Sequence, residues 1–209
     1  MAHELGLAGA HSGAYVYDMT TARALFSEGA TQRRAPASVE KLYTAATLLE
    51  RLGPTAQLET TVLGTGHLAA GGVWEGNLYL RGGGDPTFGT TSLIRRHYGG
   101  VGASVAAVAA QLAQTDGIHR VTGSVEGDES FLDSLRGEPS SGYAFDPFLE
   151  GNLSALAFNR GETGSEHGPH APAAFAARRL RAALRAEGVV VQSGGGAATT
   201  PAGAVRLAG

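Results

Sequence analysis

Apolar and polar residues alternate over "SGAYVYDMTTARALFS", residues 12–27, with a polar break at "DMTTA". A period of two puts successive side chains on opposite faces of a strand, and a short polar break between two such runs reads as a turn. The pattern predicts a β-hairpin. "RRAPAS" follows as a loop, with Pro36 ahead of a helix expected from Ser38 to about Leu52 and stopped by Gly53-Pro54. The middle of that helix, "LYTAATLL", carries no charge on any face. A helix apolar all round belongs in the centre of a fold, so burial is expected.

Further along, "AQLETTVLGTG" and "GGVWEGNLYLRGGGDPTF" read as strands joined by a glycine-rich turn. "GASVAAVAAQLAQTDG" is an alanine-rich amphipathic helix ending at Gly117, and "IHRVTGSVEGDES" alternates as one strand. Residues 140–172 are irregular, and a mobile loop is expected in the second half. "PAAFAARRLRAALRAEG" is a helix, with Arg178, Arg179, Arg181 and Arg185 on its polar side, followed by strand "VVVQS". The tail "GGGAATTPAGAVRLAG" predicts little structure. There is no internal repeat, and the mixture of elements predicts an α+β protein.

Composition narrows the functional classes. The 209 residues carry a formal net charge of -3, so there is no electrostatic case for nucleic acid or an anionic membrane. No apolar run approaches the ~20 residues of a transmembrane helix, and the N-terminus "MAHELGLAGAHSG" lacks a signal-peptide pattern. With no cysteine, disulfides, thiolate metal sites and a cysteine nucleophile are excluded. His167 and His170 are too few for a metal site and read as solvated, so no metal is expected. Trp74, Tyr79, Phe145 and Phe148 read as core.

The chemistry concentrates at Ser38 and Lys41, the latter being the single lysine of the chain. At i and i+3 on a helix they share a face. Serine becomes a nucleophile when a base takes its proton. Lysine serves as that base when burial and nearby positive charge favour the neutral amine. A helix N-terminus beside it favours a developing oxyanion. The competing reading makes Ser38 a helix N-cap and Lys41 a solvated cation. In "RGGGDP", a phosphate loop is disfavoured because no G-K-[ST] follows. Asp85 reads as bonding its own turn backbone, the usual task of Asp before Pro.

"RRAPASVEKLYTAATLLERLGP", residues 33–54, resembles the active-site segment of the penicillin-binding D-alanyl-D-alanine carboxypeptidases of the peptidase S13 type. The preceding hairpin, "LYLRGGGDPTF" at 78–88, "GNLSALAFNRG" and "AAFAARRLRAALRAEGVVV" resemble further stretches of that family, in family order over about residues 12–192. The resemblance implies a serine β-lactamase/transpeptidase-like fold, present in part, with a mixed lobe inserted after the nucleophile helix. Residues 1–55 would be the N-terminal part of the transpeptidase-like domain. Residues 56–209 would be the inserted lobe and return segment, with a boundary near 145.

The resemblance places Ser38 as nucleophile and Lys41 as base, and offers Asp85 as a contact for a substrate ammonium group. It implies a peptidoglycan stem peptide or a β-lactam as partner, no cofactor, and a periplasmic or extracellular location. The family's S-x-N and K-T-G elements are missing. The chain stops where S-x-N is expected to begin, so it reads as the front half of an enzyme or a degenerate member. The rival class is a non-catalytic relative that binds peptidoglycan peptide or a partner. An S-x-x-K esterase or β-lactamase is disfavoured by the "GGGDP" lobe.

Overall fold

A computed structural model describes residues 1–145, 152–161 and 171–209. They form two compact units, Met1–Ala56 and Gln57–Gly209.

The first unit opens with a short helix α1 (Ala2–Leu7). Strands β1 (Ala14–Asp18) and β2 (Arg23–Glu28) pair antiparallel as the expected hairpin, with an irregularity between Val16 and Tyr17. Asp18 closes the turn. Its carboxylate accepts from the Thr20 and Thr21 amides at 2.8 and 3.2 Å and from the Thr21 hydroxyl at 2.7 Å. These bonds, the Thr21 hydroxyl foremost, hold its pKa below the ordinary aspartate value.

A 3-10 turn (Ala37–Val39) leads into α2 (Glu40–Leu52), which ends at Gly53 with φ +81°. The burial expected for this helix is not observed. No residue of the first unit is buried, and Leu42 and Tyr43 are each 69% exposed. A hairpin and two helices are too few elements to enclose a helix on every side.

The second unit holds a six-stranded mixed sheet. Strands β3 (Thr60–Ala69) and β4 (Val73–Gly82) pair antiparallel along their whole length. The predicted single strand at 118–130 is instead two short ones, β5 (Arg120–Val121) and β6 (Val125–Asp128), each parallel to β4. The break between them follows β4's own path: the Thr122 amide donates to the Trp74 carbonyl and the Gly123 amide to that of Gly76. Strand β7 (Val190–Val191) extends the sheet beyond β5, and β8 (Val205–Ala208) closes the other edge on β3.

Among the described residues, three longer helices belong to this unit, and α4 and α5 supply the helical side of its core. Helix α3 (Thr91–Tyr98) was not expected from the pattern. Helix α4 (Val105–Ala110) continues as a π turn to Thr115. Helix α5 (Pro172–Ala186) buries Ala173, Ala176, Ala177, Leu180 and Leu184, spaced to form one apolar face. Arg178 and Arg179 lie opposite, their guanidinium groups 5.7 and 5.5 Å from the Phe175 and Phe158 ring centroids. Trp74 and Tyr79 are in the core as expected, and Phe145 is half-buried. Phe148, His167 and His170 lie outside the described residues, as do residues 162–170 of the stretch where a mobile loop is expected. Among the described residues no helix is long and apolar enough to cross a membrane, and no cluster of ligands suits a metal.

The tail is more ordered than its glycine-rich pattern suggested. The Gly127 amide donates to the Gly196 carbonyl at 2.9 Å and the Ala198 amide to that of Gly127 at 3.0 Å. The Thr200 amide donates to Asp128 Oδ2 at 2.8 Å. Burial pushes the Asp128 pKa up, but hydrogen bonds from Ser130 and Thr200 outweigh it and hold the carboxyl below the ordinary value.

A lowered folded pKa means that the contribution of Asp128 is complete above the unfolded value, near 4. It is lost as pH falls through the folded value. Asp128→Asn is therefore expected to lower the melting temperature at neutral pH. The gap from wild type should narrow as pH drops below about 4. A gap constant with pH in thermal melts would show that the charged form is not what stabilises the tail.

Candidate active site

Ser38 and Lys41 are brought together by local geometry. Ser38 sits in the 3-10 turn and Lys41 in the first turn of α2, and Lys41 Nζ donates to Ser38 Oγ at 3.1 Å. Neither the 3-10 turn nor α2 has a side-chain cap hydrogen bond, so Ser38 does not act as an N-cap. Both residues are exposed, and α2 does not supply the burial expected around the lysine. The residue before the serine, Ala37, has φ +46°. A non-glycine residue in that left-handed region is strained. The arrangement can pass a proton between hydroxyl and amine, with the serine oxygen free to face a reacting carbonyl.

Asp85 belongs to the second unit, 8% exposed. Its Oδ1 accepts from the Thr87 amide at 2.8 Å and the Thr87 hydroxyl at 2.7 Å. These are the contacts of the turn reading. The glycines before it have equally specific reasons. A Cβ on Gly82 would lie 2.1 Å from the Ala155 carbonyl oxygen, and one on Gly83 would lie 2.5 Å from that of Glu59. Gly84 has φ +84° and donates its amide to Ala155. The glycines let neighbouring backbone approach closely and do not form an open anion cradle.

Asn159 was not singled out in the sequence, yet it holds this loop in place. Its Oδ1 accepts from the Thr90 amide at 2.7 Å, its own amide donates to the Phe88 carbonyl, and its φ is +52°. Phe88 and Phe158 meet edge to face with centroids 5.9 Å apart. "RGGGDPTF" and "LAFNRG" therefore pack against each other. The signal available was an Asn one residue before an Arg-Gly step, a residue type that tolerates positive φ.

Residues 2–145 match the D-Ala-D-Ala carboxypeptidase 3 (S13) family. A D-alanyl-D-alanine carboxypeptidase of Actinomadura sp. (strain R39) is 35% identical over 130 residues, covering 62% of this chain and 22% of that protein. The crystal structure of penicillin binding protein 4 from Haemophilus influenzae superposes with a TM-score of 0.69 at 16% identity, over 99% of this chain and 58% of that one. The same protein complexed with a β-lactam gives 0.62 at 15% identity, over 99% and 56%. The chain thus spans less than two thirds of these relatives, and over that span it has their α+β, transpeptidase-like fold.

Asp85→Ala leaves the Thr87 amide without its acceptor, and orphaning a buried donor costs about 1–3 kcal/mol. The melting temperature of the second unit should fall, and Asp85→Asn, which keeps an acceptor, should recover part of it. An unchanged melting temperature in Asp85→Ala would remove the turn role.

Proposed function

The chain belongs to the D-Ala-D-Ala carboxypeptidase 3 (S13) family, and we propose that it carries the nucleophile of a serine-type, penicillin-binding D-Ala-D-Ala carboxypeptidase. One observation supports this above others: the Lys41 Nζ to Ser38 Oγ contact of 3.1 Å. Ser38 Oγ attacks the carbonyl carbon of the terminal D-Ala-D-Ala peptide bond of a peptidoglycan stem peptide. Lys41, as the neutral amine, accepts the hydroxyl proton. The D-alanine amine leaves with a proton, and an ester to Ser38 remains. Water then hydrolyses the ester, and the hydroxyl is restored. A β-lactam enters by the same attack, its ring amide taking the place of the peptide bond.

In this reading residues 1–55 belong to the transpeptidase-like domain and 56–209 to an inserted lobe and return segment. The site of action is the cell wall, outside the cytoplasmic membrane. Asp85 serves as a structural residue of the lobe.

A second reading, binding without turnover, has its own support. These 209 residues contain neither S-x-N nor a second lysine for K-T-G. Nucleophile and base are only part of an acyl-transfer site, which also needs a proton for the leaving group and a clamp for the substrate carboxylate. Loss of one well-placed electrostatic group commonly costs about 10²–10³ in rate.

Two experiments separate these readings. In the natural protein containing these residues, a labelled penicillin should modify Ser38. Lys41→Arg should abolish labelling without unfolding, because arginine keeps the charge but does not release its proton. Label on another serine, or wild-type labelling in a folded Lys41→Arg protein, would sink the assignment. Separately, the 209-residue chain by itself should release no D-alanine from D-Ala-D-Ala peptides. Steady turnover abolished by Ser38→Ala would show that the clamp comes from residues assigned here to loops and lobe.

A further inference from the structure

Four residues before Ser38, Arg34 has its whole guanidinium group engaged. Its Nε donates to the His11 carbonyl at 2.6 Å and its Nη1 to the carbonyls of Gly29 and Gln32 at 2.7 and 3.2 Å. Its Nη2 donates to the Ser12 carbonyl and to Gln32 Oε1, both at 2.8 Å. All the donors of the guanidinium fork find an acceptor. They join three stretches of chain: the segment before β1, the residue after β2, and the loop that leads into α2. The group lies tight against two glycines. A Cβ on Gly13 would stand 2.7 Å from Nη2, and one on Gly29 would stand 2.9 Å from it.

We propose that Arg34 is a positioning residue for Ser38, acting through the short backbone between them. Ala35, Pro36 and Ala37 separate the two. Pro36 has its φ locked by the ring, at -73°, and the Val39 amide donates back to its carbonyl at 3.1 Å. Ala37 is held at φ +46°. Such a conformation persists where the surroundings over-determine it. Apolar packing does not supply that constraint, because no residue of α2 is buried. The clamp at Arg34 ties the loop before the 3-10 turn to the two ends of the hairpin, and Ser38 takes its direction from there. Arginine suits the task, since its planar fork is pre-organised for several acceptors at once and lysine offers a point charge.

The proposal rests on Ser38 being the nucleophile, and the test keeps the two apart. In the natural protein containing these residues, acylation by a penicillin at Ser38 is timed by mass spectrometry. The proteins compared are wild type, Arg34→Ala, Arg34→Lys, Gly13→Ala and Arg33→Ala. Non-covalent penicillin affinity is measured in a Ser38→Ala background with and without Arg34→Ala. Amide hydrogen exchange is followed over residues 14–28 and 35–41.

Misplacing a reacting group by about 1 Å costs about a hundredfold in rate. Arg34→Ala and Gly13→Ala are each expected to slow acylation by about that factor, with affinity unchanged and faster exchange confined to 35–41. Gly13→Ala matters because it displaces the guanidinium while leaving Arg34 in place. Arg34→Lys should recover little, and Arg33→Ala, which removes a like charge one residue earlier, should match wild type. Acylation and exchange at wild-type levels in Arg34→Ala would overturn the positioning role. So would an equal loss in Arg33→Ala, which would mean that charge alone matters. If wild type itself is acylated elsewhere, the nucleophile reading falls. The exchange at 35–41 then still decides whether Arg34 orders the segment.

Discussion

Strand β4 is the constraint on which the second unit depends. Its ten residues pair with β3 from Val73 to Gly82 on one side. On the other side they pair with β5 at Val73 and Trp74 and with β6 from Leu78 to Arg81. Its end then runs into Gly82–Gly84, against which the Ala155 and Glu59 carbonyls press. Parallel partners of one strand cannot be reached by tight turns and need crossovers. Between β4 and β5 the chain runs through α3 and α4, and the apolar faces of α4 and α5 complete the core over Leu78, Leu80, Val121 and Val125. The order of the lobe follows from one strand having both edges and its C-terminal end occupied.

The first unit is held by different means. Without a buried side chain, its order comes from the hairpin ladder, the Asp18 turn and the Arg34 fork. These interactions are polar, directional and exposed to water, where a hydrogen bond contributes modestly. The unit also presents Leu42, Tyr43, Leu48, Leu49 and Leu52 to solvent. Apolar surface of that extent is unfavourable in water and is a feature of contact surfaces.

The sequence revealed most where information was local. The hairpin, α2, β3, β4 and α5 each carry their own period and stop signals. Helix α3 escaped notice because eight residues give barely two turns, and three of them, Arg95, Arg96 and His97, are basic. Its signals were the Thr90 cap and Gly99 at φ +60°. Strand β8 escaped for a different reason. Its four residues mean little until they meet β3, some 140 positions earlier in the chain. Likewise, the Asn159 contact with Thr90 joins residues 69 apart. A pattern within a window cannot report such pairings, and for the same reason the apolar character of α2 did not establish its burial.

This division between local and distant determinants separates the geometry of the Ser38–Lys41 pair from its chemistry. Spacing i to i+3 at a helix start brings hydroxyl and amine together whatever the rest of the fold does, which is why the contact forms on an exposed helix. A lysine becomes a base only where its surroundings favour the neutral amine, through burial or neighbouring positive charge. A serine oxygen gains from attack only where donors await the oxyanion. Those conditions belong to whatever surrounds α2, not to the motif. S-x-x-K therefore secures proximity, Arg34 and the strained Ala37 secure direction, and reactivity depends on conditions that the motif itself does not carry.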